Sequence, residues 1–128
     1  MAGIKEQLEK LGGFIGSGGV SCQAINAAED ALGIRFALDY REYLSTCGIA
    51  AVDGHELTGL GSSWRVDVVN ATMEQRKKLA GCDDKYVIEE THIDGIVVWQ
   101  SATGEVFETS PGTKPRKTYD SLLEFLQG

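Results

Sequence analysis

Cysteine is scarce in this chain and poorly spaced for chemistry. The 128 residues hold three, Cys22, Cys47 and Cys82. The number is odd and no two form a C-x-x-C pair, which argues against a disulfide framework or a zinc site and favours reduced thiols. Histidine is scarcer still: His55 and His92 are the only two, and neither has a companion at ligand spacing. A Cys/His pair assembled in space from Cys47 or Cys82 stays open as an enzymatic alternative. Free cysteine is more often a small buried hydrophobe, so no catalytic residue, metal or cofactor is assigned. Long apolar runs are missing as well. The opening M-A-G-I-K-E-Q-L-E-K-L is charged within its first turn, unlike a signal peptide, and no window reaches the length of a membrane span. A cytoplasmic protein that does not engage the membrane is expected. Positive charge is in deficit, with 12 Lys and Arg against 19 Asp and Glu, a net −7. Such a surface repels phosphate backbones, which sets aside direct nucleic-acid binding and favours basic partners.

Apolar residues make up 42% and charged residues 24%, a globular rather than a disordered balance. The length suits one domain. Ile4, Leu8 and Leu11 mark a short amphipathic helix that Gly12 and Gly13 end. The next ten residues, 12 to 21, include five glycines, but neither a Gly-Lys-Ser/Thr nor a G-x-G-x-x-G spacing. A flexible connection is the reading. Ser21 is placed to cap a helix with Cys22, Ile25, Ala28, Glu29 and Leu32 on one face, stopped at Gly33. Asp39 and Glu42 have capping-box spacing, and Tyr40, Tyr43, Leu44 and Cys47 form an apolar stripe ending at Gly48. That stripe reads as core, with two tyrosine hydroxyls in need of partners.

After Gly48 the period changes. Asp53-Gly54 predicts a tight hairpin turn between short strands. Val66, Val69, Met73 and Lys77 then share a helical face, with Gly81 as the stop and Arg76, Lys77 and Lys78 suited to the C-terminal turn. K-Y-V-I-E-E-T, I-V-V-W-Q and E-V-F-E-T read as strands, the second as central and Trp99 as core. P-G-T-K-P-R-K reads as a loop. Thr118 or Asp120 caps a last helix with Leu122, Leu123 and Leu126 inward. Helices cluster early and strands late, which predicts an α+β fold, a mainly antiparallel twisted sheet packed by N-terminal, middle and C-terminal helices.

The acidic residues form three loose groups: Asp53 and Glu56; Asp83 and Asp84; Glu89, Glu90 and Asp94. A solvated face is the plain reading. The functional one is a surface offered to a basic protein, with Trp64, after G-S-S, as an anchor.

The ordered series A-E-D-A-L-G-I, D-Y-R-E-Y-L, G-H-E-L-T-G-L, D-V-V-N-A-T, Y-V-I-E-E, V-V-W-Q-S-A-T-G-E-V-F and Y-D-S-L-L-E-F-L resembles the SUKH superfamily, which includes a fungal cell-wall synthesis regulator and many bacterial immunity proteins. Glu29, Leu32, Gly33, Asp39, Tyr40, Leu44, Gly48, Gly59 and Gly104 take its recurring, structural positions. Ala37 stands where the family often has proline, and Cys47 where an asparagine commonly precedes the glycine. The resemblance implies a single SUKH-like domain over 1–128, with a family core over 21–126 preceded by an N-terminal helix and glycine-rich connection over 1–20. It implies an immunity protein, of the kind found in toxin–antitoxin and contact-dependent inhibition systems, that binds and neutralises a cognate protein toxin, basic and nucleic-acid-acting. The other reading is a regulatory adaptor for an endogenous cytosolic protein. A monomer or weak homodimer is expected.

Overall fold

The structure is a computed structural model that describes residues 3–61 and 64–128, the Trp64 side chain excepted. Five α-helices are described: α1 (Ile4–Glu9), α2 (Cys22–Leu32), α3 (Leu38–Thr46), α4 (Val68–Lys78) and α5 (Leu122–Gln127). The strands are β1 (Ile15–Gly16), β2 (Ala50–Val52), β3 (His55–Glu56), β4 (Lys85–Glu90), β5 (Val97–Ser101), β6 (Val106–Thr109) and β7 (Arg116–Tyr119). They form two antiparallel sheets, β1-β2-β3 and β4-β5-β6-β7, rather than one. The fold is α+β, as the order of elements predicts.

In the second sheet β4 and β5 are buried on both faces, which explains the unbroken apolar run of β5. Tyr86, Ile88, Val98 and Val106 face the main core with α2, α3 and α5. Alternation sends Val87, Val97 and Trp99 to the other face, against Ala71 of α4 and Cys82. Trp99 is fully buried and its Nε1 donates to Thr109 Oγ1 at 2.9 Å.

The α3 stripe is core as expected, and every tyrosine hydroxyl on it is satisfied. Tyr40 bonds Thr58 Oγ1 at 2.8 Å, and Tyr43 donates to Thr58 O at 2.7 Å while accepting from Ala50 N. Tyr86 donates to Gln100 Oε1 at 2.6 Å and accepts from Ala37 N at 2.9 Å. A proline at position 37 has no N–H to give, so alanine there serves this buried bond. Glu29, also buried, accepts from Phe36 N at 2.8 Å and pairs with Arg41 at 2.8 Å.

Several local expectations are corrected. The Asp39–Glu42 capping box does not form. The helix begins two residues earlier than that box requires, at Leu38, with Ala37 at its cap position. Both carboxylates instead serve the starts of other helices. Asp39 accepts from Leu122 N (2.9 Å) at the start of α5, and Glu42 accepts from Ile4 N (2.6 Å) at the start of α1. Ser121, not Thr118 or Asp120, caps α5. Ser21 and Gly33 bound α2 as predicted. The buried face of α4 is Val68, Ala71 and Thr72, which leaves Met73 exposed, and the helix ends before Gly81. Residues 116 and 117 are strand, not loop, because β7 pairs with β6.

The glycine-rich stretch is docked rather than a free connection. β1 pairs with β2, Gly18 N donates to Cys47 O and Val20 N to Leu44 O. Here three backbones meet closely, with the Ser17 hydroxyl beside them accepting from Ile49 N at 3.1 Å. A Cβ on Gly48 would strike the Gly18 carbonyl, and one on Gly59 would strike the Gly48 carbonyl. Gly48 also holds a φ of +70°, which glycine alone adopts at no steric cost.

Candidate partner-binding surface

The surface begins at the β2–β3 hairpin. Asp53 and Gly54 both have positive φ, 47° and 83°, as a two-residue type I′ turn requires, and Asp53 is left in solvent. β3 then brings His55 and Glu56 beside β4. Arg65 grips both Glu56 oxygens at 2.8 and 3.0 Å. That fork holds the Glu56 carboxyl below its usual range and pushes the Arg65 guanidinium up. Glu89 is only 7% exposed. Its carboxylate bonds His55 Nδ1 at 2.9 Å and accepts from Glu56 N at 3.2 Å, so it joins the two sheets.

At the end of β4, Glu90 is half-buried and accepts from Gln75 Nε2 of α4 at 2.8 Å. It makes no ion pair with any described residue. The turn over 91–96 follows. His92, Asp94 and Gly95 all hold positive φ, and Thr91 Oγ1 accepts from Ile93 N and donates to Ile96 O at 2.8 Å. This wound turn leaves Ile93 64% exposed. Pro111, on the β6–β7 turn, lies against Gly95. The two turns, the end of β4 and the last turn of α4 enclose a cleft of about 370 Å³, lined by Gln75, Lys78, Leu79, Glu90, Ile96 and Pro111 among others.

Glu56, Glu89, Glu90 and Asp94 thus gather at one end of β4, with Asp53 on the hairpin tip. Asp83 and Asp84 do not join them. Both are exposed before the other end of β4, roughly 17 Å away at 3.3 Å per residue. Asp84 pairs with Lys85 at 3.0 Å. Three of the seven carboxylates are therefore paired with a basic side chain of the chain itself: Glu56, Glu89 and Asp84. Asp53, Asp83, Glu90 and Asp94 have no cation partner among the described residues. Trp64 opens a short 3-10 turn, Trp64–Val66. Its side chain lies outside the described residues, as do Ser62 and Ser63 before it. Gln75, Lys78 and Ile93 belong to no motif that marks them as site residues in the sequence. The one available signal was an apolar residue inside the H-I-D-G turn, and a single exposed isoleucine is uninformative by itself.

The thiols weighed for an enzyme are placed in the core. Cys47 and Cys82 are buried, and burial pushes both thiols up, away from the reactive thiolate. No hydrogen bond joins either to a histidine among the described residues. Nor do those residues bring three metal-ligating side chains together.

The architecture is that of an α+β protein whose charged turns face the solvent. A family model of the SUKH group, described as SMI1-KNR4 cell-wall, matches residues 1–128, and the chain belongs to that family. Membership is compatible with immunity proteins and with work through protein partners. No curated protein matches the chain. No described helix is long and apolar enough to cross a membrane.

Proposed function

We propose that this protein is an immunity protein that binds and neutralises a cognate bacterial toxin, basic and nucleic-acid-acting, through the acidic end of β4. The carrying observation is the set of solvent-facing carboxylates with no internal cation, Asp53, Glu90 and Asp94, on a chain of net charge −7. A toxin that grips phosphates carries the opposite charge, so the encounter is steered by long-range attraction. Glu56 and Glu89 build this surface more than they offer themselves to a partner. Asp83 and Asp84 form a second, separate acidic contact. Trp64 remains the proposed anchor, and the protein acts in the cytoplasm.

The test is growth rescue. The product of the neighbouring reading frame is expressed with and without this protein, and rescue is expected. With both proteins soluble, absence of rescue sinks the immunity reading. Purified binding is expected to weaken at least tenfold between low and physiological salt, and salt-indifferent binding rejects the electrostatic part. The cell-wall description of the family model favours one second reading, an adaptor for an endogenous protein. A pull-down that returns one cellular protein stoichiometrically, with no rescue, selects it.

A further inference from the structure

The cleft at the end of β4 has a more particular chemistry than an acidic surface. We propose, resting on the partner-binding reading above, that it receives an arginine side chain of the partner protein, with Glu90 as the carboxylate it meets and Ile93, exposed on the turn that gives His92, Gly95 and Ile96 to the lining, as an apolar contact beside it.

Glu90 sits in the cleft wall, half-buried, and Gln75 Nε2 fixes one of its oxygens at 2.8 Å. A carboxylate removed from much of its water, and in no ion pair with a described residue, gains more from an incoming cation than an exposed one does. Leu79, Ile96 and Pro111 line the same space, so the methylene stem of a long basic side chain has apolar walls to lie on. The volume, about 370 Å³, lies at the lower end of the roughly 300–1,000 Å³ typical of ligand pockets. That is ample for one long basic side chain.

Arginine is favoured over lysine on two grounds. Its planar fork matches an oriented carboxylate, and it is the more weakly hydrated of the two cations. Lys78 lines the cleft without pairing with Glu90. Its charge tempers the local field, so selectivity depends on the geometry at Glu90 rather than on net charge. The 91–96 turn is already wound by the Thr91 bonds and three positive-φ residues, so Ile93 is presented with little ordering left to do on binding.

The direct test uses the full chain and a probe independent of any toxin. 1H–15N spectra are titrated with N-acetyl-arginine amide and with its neutral citrulline counterpart. The expected result is shifts concentrated at residues 90–96 and 110–112, at least tenfold weaker binding of the citrulline compound, and loss of the effect in Glu90→Gln. Shifts spread evenly to Asp53, Asp83 and Asp84, an equal response to citrulline, or persistence in Glu90→Gln overturns the proposal. Ile93→Ser, at an exposed position, gives a second variant if Glu90→Gln does not fold. With a rescuing toxin in hand, Glu90→Gln and Ile93→Ser are each expected to weaken toxin binding at least tenfold. Rescue by wild type with undiminished affinity in both variants rejects the cleft while leaving the immunity role standing. Failure of rescue with intact arginine binding does the reverse.

Discussion

Thr58 shows how much one small side chain can hold. Its hydroxyl donates to Val87 O at 2.8 Å and so accepts from Tyr40; its N–H reaches Ile88 O and its carbonyl takes the Tyr43 hydroxyl. Thr58→Val keeps the shape but leaves the Tyr40 hydroxyl and the Val87 carbonyl unmatched. A loss of about 2–3 kcal/mol is expected, read as a lower urea midpoint with an unchanged slope. The buried tyrosines carry a pH signature. Burial pushes the Tyr40, Tyr43 and Tyr86 phenols up. Unfolded, each loses its proton near pH ~10, while the folded chain retains it. The folded state therefore binds more protons above that pH, and stability falls as pH rises, by about 1.4 kcal/mol per unit for each tyrosine. Below pH ~10 the contribution is flat. Circular dichroism and phenolate absorbance are expected to change together in one alkaline transition, and tyrosines that ionise while the fold persists contradict this.

Among the elements, α3 does the most for its neighbours. Its carboxylates serve the N-termini of α1 and α5, and Asp39 also takes a bond from Gln100 Nε2 at 3.0 Å. Glu42→Ala is expected to speed hydrogen exchange along α1 with a global cost of only about 1 kcal/mol. Asp39→Ala loosens α5 and the Gln100 network together, and is expected to cost about 2 kcal/mol by denaturant titration. Equal effects of the two on α1 exchange speak against this division. The existence of α3 was legible in the sequence from its tyrosine spacing, but its caps were not. D-Y-R-E has the capping-box spacing, yet both acids point to helix starts 38 and 83 residues away in the chain. The same holds for β1 and β7. Glycine-rich and proline-flanked segments carry no strand period of their own, and they become strands only because a partner edge is waiting.

At the scale of the whole molecule, charge sign was legible from composition, and so was the α+β class. Which carboxylates stay free was not. Glu56, Glu89 and Asp84 are claimed by Arg65, His55 and Lys85, and the first two of those links cross between segments that meet only in the fold. The meeting of Gly18, Gly48 and Gly59 is likewise a property of the whole chain. Gly59→Ala pushes a methyl group into backbone rather than into a side chain that could turn away. A loss of about 3 kcal/mol or more is expected in thermal or urea unfolding, and a change below about 1 kcal/mol contradicts backbone contact at that point.

That meeting point has a consequence for how such a protein can diverge. At Gly48 and Gly59 the backbones are packed too closely to acquire a side chain that could record preference for one partner over another. The turns at 53–54, 91–96 and 110–115 carry no such restriction on their outward residues. New specificities can be written on those turns while the junction beneath keeps the frame in register, so kinship in fold and disagreement in partner are compatible outcomes of one design.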